Sequence, residues 1–106
     1  MSIVDFAELA SARFDHAVHR KAMKERIEAQ LVVAHGGGVF KATGDLISFL
    51  WSWPDDEIFL EDIYNNPIKC NRKELEEALR EAYRYAMNSW HNEFVESKKV
   101  RKLTDV

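Results

Sequence analysis

From Ile3 the chain runs without a proline or glycine until Gly36, where three glycines come in succession. Ser2, with Asp5 three residues on, makes a variant capping box, so a helix is predicted from the very start. Its apolar residues fall in two stripes. Phe6, Leu9, Ala10, Phe14, Ala17 and Val18 recur at spacings of three and four. Met23, Ile27, Leu31 and Ala34 do so again after a more polar middle, without lining up perfectly with the first set. The pattern fits one long helix whose buried face drifts, or two helices with a break near residues 15–21. A continuous helix over residues 3–34 would be about 48 Å long, longer than a domain of this size is wide. One end would then project and call for a partner.

Residues 30–35 admit two readings. Leu31, Val32 and Val33 form an apolar, partly β-branched run that could be a strand facing Val39 and Phe40 across the glycines; continuation of the helix is preferred. Gly36, Gly37 and Gly38 end the element in either case, because they supply positive φ freely. Residues 39–42 then read as a short strand. Thr43 is a plausible N-cap, Asp45 suits a first helical turn, and Leu46, Ile47, Phe49, Leu50 and Trp53 give one wide apolar face. This short helix is expected to be largely buried, and Pro54 ends it.

Residues 57–64 read as a strand, Asn65, Asn66 and Pro67 as a turn, and residues 68–70 as the returning strand of a hairpin, joined by the Val39 strand in one variant of the fold. Asn71 followed by Glu74 is a capping box opening the clearest helix in the chain. Its stripe is Leu75, Ala78, Leu79, Ala82, Ala86, Trp90 and Phe94, widened by Tyr83, Met87 and Val95. The helix is expected to run to about Ser97, with a basic, fraying end over residues 98–106. The fold class is therefore α+β and predominantly helical: a long N-terminal helix or helix pair, a short helix, a small antiparallel hairpin and a long C-terminal helix.

At 106 residues the chain suits one domain, and 46% apolar with 31% charged residues is a globular balance. A net charge of −3 supplies no global field towards nucleic acid or an anionic membrane, so any such partner needs a local patch. No apolar run approaches the ~20 residues that span a bilayer, and no secretory signal is visible. With the single Cys70 excluding an internal disulfide, a reducing cytoplasm fits best.

The chemistry-bearing residues form no complete constellation. His16 and His19, three apart on a helix, could touch one metal ion, but two ligands do not make a site, and no metal or cofactor is expected. Cys70 precedes a helix N-terminus yet has no activating histidine nearby in sequence, so it is read as filling a small apolar slot. The glycine triplet lacks the Lys-Ser/Thr of a P-loop and reads as a turn. Asp45, Asp55, Asp56, Glu57, Glu61 and Asp62 fall in a stretch without Lys or Arg and read as a solvated acidic rim. Arg20, Lys21, Lys24 and Arg26 form a basic band on the first helix, and Lys98, Lys99, Arg101 and Lys102 a basic tail. Trp51 and Trp53, two apart, cannot share one narrow helical stripe; either one is exposed as a partner anchor or both are buried in a wide interface.

Three segments, GGVFKAT with the following LI (residues 37–43, 46 and 47), NPIKCNRKEL (residues 66–75) and YAMNSWHNEFVESKKVRK (residues 85–102), resemble small proteins of T4-like phages of cyanobacteria. That family has no assigned activity; the resemblance implies a phage accessory or assembly protein acting in an infected cell or virion, and it places no chemistry on any residue. A non-enzymatic protein–protein interaction or assembly module is the expected function. Its partner is a second copy or a phage or host protein, met through Phe6, Leu9, Phe14, Trp51 and Trp53. The alternative is a nucleic-acid-associated regulator contacting phosphates through Arg20, Lys21, Lys24, Lys98, Lys99, Arg101 and Lys102.

Overall fold

The computed structural model describes residues 3–104, and the side chains of residues 15–99. Its element order is α1 (Ile3–Gln30), β1 (Val32–His35), β2 (Gly38–Lys41), α2 (Gly44–Ser52), β3 (Glu57–Glu61), β4 (Pro67–Asn71) and α3 (Arg72–Thr104). Three helices and two separate two-stranded antiparallel sheets make this an α+β fold dominated by its first and last helices.

α1 is one unbroken helix of 28 residues, about 42 Å long. No breaker interrupts residues 15–21, and the polar middle simply faces solvent. Only Met23 and Ile27, one turn apart, are buried on its described face, and Leu31, just past its end, continues the spacing. The Ser2 cap and the side chains of Phe6, Leu9 and Phe14 lie outside the described residues.

The preferred helical reading of residues 30–35 is corrected. The helix stops at Gln30, and Val32–His35 pairs antiparallel with Gly38–Lys41, Val33 opposite Phe40. Gly36 and Gly37 have φ of 60° and 87°, the two positive values that a tight two-residue hairpin turn demands. That turn, together with the β preference of Val32 and Val33, outweighs helix continuation. Leu31 alone separates helix from strand, and its carbonyl accepts from Ala42 N at 2.7 Å, lengthening the ladder. A Glu28–Lys41 ion pair ties the helix end to β2, and that ammonium holds the Glu28 carboxyl below its ordinary range. Gly38 is required for a different reason: a Cβ there would lie 2.8 Å from Ile68 of the second hairpin.

That second hairpin pairs Ile58 with Cys70 and Leu60 with Ile68, which put their side chains towards the core. Its first strand ends at Glu61, short of the expected Tyr64, because Asp62 organises the turn. Asp62 Oδ1 accepts from Tyr64 N (3.0 Å) and Asn66 N (2.9 Å), while Oδ2 accepts from Val39 N (3.1 Å). Asn65 takes φ 63°, a left-handed value that Asn tolerates. Ile63 N also donates to Val39 O at 2.9 Å. The Val39 strand therefore meets the hairpin at its turn without joining its ladder. Asp62 is only 6% exposed, so its place in a solvated acidic rim is also corrected.

α2 begins as its sequence suggests, with Thr43 Oγ1 accepting from Leu46 N at 3.2 Å. At its end Leu50 O accepts from Trp53 N and from Arg72 Nη1, while Arg72 Nε reaches Asp55 O. These bonds fasten the α2–β3 loop to the first residue of α3. α2 is not largely buried: Leu50 is fully enclosed, Leu46, Ile47 and Trp53 are half-buried, and Phe49 and Trp51 face solvent. A two-turn helix on the outside of α3 has only one side to bury.

α3 starts at its Asn71 cap, whose Oδ1 accepts from Glu74 N at 3.0 Å. It continues past Ser97 to Thr104, since Lys98–Lys102 contain good helix formers and no breaker. The core joins Ile27, Leu31, Phe40, Leu50, Ile58, Cys70, Leu75, Leu79 and Ala86. It occupies one end of the molecule. The radius of gyration is 19.8 Å and the extents are 66 × 24 × 18 Å, against about 13 Å for a compact chain of this length. We call the packed end the head and the projecting stretches of α1 and α3 the arm.

Candidate functional site

The two helices of the arm run antiparallel and are joined by an ion pair, Arg26 Nη2 to Glu93 Oε2 at 3.1 Å, just beyond the core. Further out the helices leave a cleft of about 400 Å³ between them. α1 contributes His16, Arg20, Met23 and Lys24, and α3 contributes Trp90, Phe94, Ser97 and Lys98. Both sets follow the helical period, so the cleft runs along the arm for about two turns.

The cause lies in the mismatch of the two helices. On α3 the apolar stripe continues through Trp90 and Phe94, while among the described residues the buried stripe of α1 ends at Met23 and gives way to His16 and Arg20. Trp90 and Phe94 therefore keep 37% and 50% of their surface in solvent. A second hollow of about 330 Å³ opens on their other flank, between Met87, Trp90, His91 and Phe94. Lys98 Nζ sits 5.0 Å from the Phe94 ring centroid, which favours the cation over the aromatic face.

The residues expected to contact phosphate are split. Arg20, Lys24 and Lys98 border the cleft, Lys21 is exposed outside it, and Lys99 is engaged with Glu96 at 3.3 Å. The side chains of Arg101 and Lys102 lie outside the described residues. The tryptophans of α2 divide as well. Trp53 is half-buried against the core, donates from Nε1 to Glu57 O, and lies 5.5 Å from the Phe49 ring. Trp51 is 67% exposed, with the Arg80 guanidinium 4.9 Å above its ring. Arg80 in turn pairs with Glu76, whose carboxylate is buried beneath it.

Elsewhere the chemistry is structural. Cys70 is buried within hydrogen-bonding distance of Ile68 O (3.6 Å), and burial pushes its thiol up, away from the thiolate a nucleophile needs. Asn66 N–H, with Val39 and Tyr64 behind it, holds the Asp62 carboxyl below the ordinary range despite the opposing effect of burial. Among the described residues no three His, Cys, Asp or Glu side chains come close enough to hold a metal ion, and no helix is long and apolar enough to cross a membrane. His16 lines the cleft and His19 is exposed.

Trp90, Phe94, Met87 and His91 are the residues that sequence reasoning assigned to core or passed over. One signal pointed to them: the two stripes of α1 do not line up, so α1 cannot cover α3 along its whole length. No family model, curated protein or solved structure matches the chain.

Proposed function

We propose that the protein is a non-enzymatic assembly module that docks a protein partner, a second copy included, in the cleft between α1 and α3. One observation carries this reading: Trp90 and Phe94 are held half-exposed on α3, bordered by Arg20, Lys24 and Lys98, and among the described residues Met23 is the one apolar side chain that α1 brings to the cleft. Aromatic anchors within a polar rim are the usual composition of an interface centre. Phe6, Leu9 and Phe14 continue α1 away from the head, and Trp51 offers a further anchor there. The resemblance to proteins of T4-like cyanobacterial phages supports an accessory or assembly role with phage or host proteins as partners.

The test compares wild type with Trp90→Ser/Phe94→Ser. Association is followed by sedimentation at micromolar concentration, and by mass spectrometry of proteins co-purified from infected cells. The double variant is expected to lose its associations and still unfold cooperatively, at a midpoint lowered by roughly 10 °C. Associations that survive in it would sink the reading.

The second reading, a nucleic-acid-associated regulator, is favoured by Arg20, Lys24 and Lys98 standing beside two stackable aromatics. About four phosphate contacts on duplex DNA would give a log–log salt slope near −3.6, and micromolar binding at about 150 mM salt would select this reading. That binding should disappear when Lys98, Lys99, Arg101 and Lys102 are replaced by alanine.

A further inference from the structure

We propose that the arm cleft of one copy receives the acidic head of a second copy, so that the protein assembles head to tail. The inference rests on the reading of the cleft as a docking site for protein and names its occupant.

The cleft selects for two properties at once. Trp90 and Phe94 favour an apolar surface, and Arg20, Lys24 and Lys98 at their border favour carboxylates. None of those three cations takes part in an ion pair among the described residues. The head has the complementary character. Residues 42–68 contain six carboxylates and no Lys or Arg, and Asp62 is the only one of the six that is buried. Exposed Phe49, Trp51 and Phe59 lie in the same stretch. Its most accessible acidic segment is the α2–β3 loop, where Asp55 and Asp56 are exposed while Arg72 grips their carbonyls.

That grip fixes the distance. Arg72 is the first residue of α3, and about 39 Å of helix separates it from Lys98, so the loop cannot enter the cleft of its own chain. Contact between the two requires another copy. Symmetric pairing of two arms is disfavoured, because a two-fold axis would set Arg20, Lys24 and Lys98 against the same cations of the second molecule. The head-to-tail contact removes that repulsion. It leaves a free cleft at one end and a free loop at the other, so growth continues into a chain or closes into a ring.

Sedimentation velocity of the full chain tests this with two charge reversals, Lys24→Glu/Lys98→Glu in the cleft and Asp55→Lys/Asp56→Lys in the loop. Wild type is expected to grow past the dimer with concentration at about 20 mM salt and to return towards monomer at about 500 mM. Either reversal alone should weaken association about tenfold or more at unchanged melting temperature, and both in one chain should restore it, as no purely structural defect would. A wild type that stays monomeric at every concentration, or a double reversal that fails to recover, overturns the proposal. A closed dimer lost in Trp90→Ser but indifferent to the loop reversal overturns head-to-tail assembly and leaves the cleft a docking site. Association indifferent to both Trp90 and the loop removes both readings.

Discussion

Along α3 one apolar spacing passes through two environments. In the head, Leu75, Leu79 and Ala86 are fully enclosed beneath α2, β4 and the end of α1; one and two turns past Ala86, Trp90 and Phe94 continue the stripe at four-residue spacing and stand half in solvent. The helix does not change between these regions; its covering does. A periodic stripe thus states which face of a helix is apolar, and only the neighbouring element decides whether that face becomes core or interface. Here the neighbour is α1, whose buried stripe, among the described residues, ends at Met23.

The sharpest way to break this comparison is to truncate one residue in each region. Leu79→Ala should cost about 2–5 kcal/mol, through lost transfer energy and the cavity it leaves. Phe94→Ser should cost about 1 kcal/mol, since half or less of its burial energy is at stake. Equal losses in urea unfolding would mean the arm is core after all. Gly38→Ala, which forces a methyl against Ile68, should fall between them at about 1–3 kcal/mol.

A pH series sharpens the contrast from the electrostatic side. The folded state depresses Asp62 through the N–H groups of Asn66, Val39 and Tyr64, and Glu28 through Lys41. Their stabilisation is complete above about pH 6, past the unfolded-state values of both carboxyls, and is lost as pH falls through the lowered folded-state values. Wild type should lose stability on that acid side, and Asp62→Asn, which turns an acceptor into a donor, should be less stable at neutral pH with a flatter acid limb. An acid limb unchanged by Asp62→Asn would remove Asp62 from its central place in the head.

Much of the head was legible in the chain. The Thr43 and Asn71 caps and the stripe of α3 follow from local rules that tertiary packing did not disturb, and the second hairpin was legible too, though its first strand stops at Glu61 where the sequence suggested Tyr64. The β1 strand was not settled by those rules, because Leu31, Val32 and Val33 satisfy helical and extended spacing alike, and only pairing with Phe40 decides. Asp62 looked like its acidic neighbours. What sets it apart is the approach of Val39 from another hairpin, 23 residues away in sequence, which no local pattern encodes. The cleft was half visible: the stripes and basic bands could be read, but their meeting depends on how α1 and α3 are staggered.

The smallest expected effect lies at the far end of the arm. Deleting residues 98–106 should change stability by at most a few tenths to ~1 kcal/mol, through lost helix-dipole and end-fraying contributions. Native-state hydrogen exchange should accordingly show amides of residues 75–86 opening with the whole molecule and those of residues 90–99 opening well before it. Uniform protection along α3 would erase the distinction between head and arm.

The junction at Leu31 carries a mechanical consequence. With one residue between α1 and β1, and that residue wedged in the core, α1 has no hinge about which to swing. α1 is thus rooted directly in the packed end, one residue from the strand that pairs Val33 with Phe40. A ligand that grips α1 without gripping the unfolded chain is expected to raise the melting temperature of that core where helix and core unfold together, by an amount set by its concentration relative to its dissociation constant.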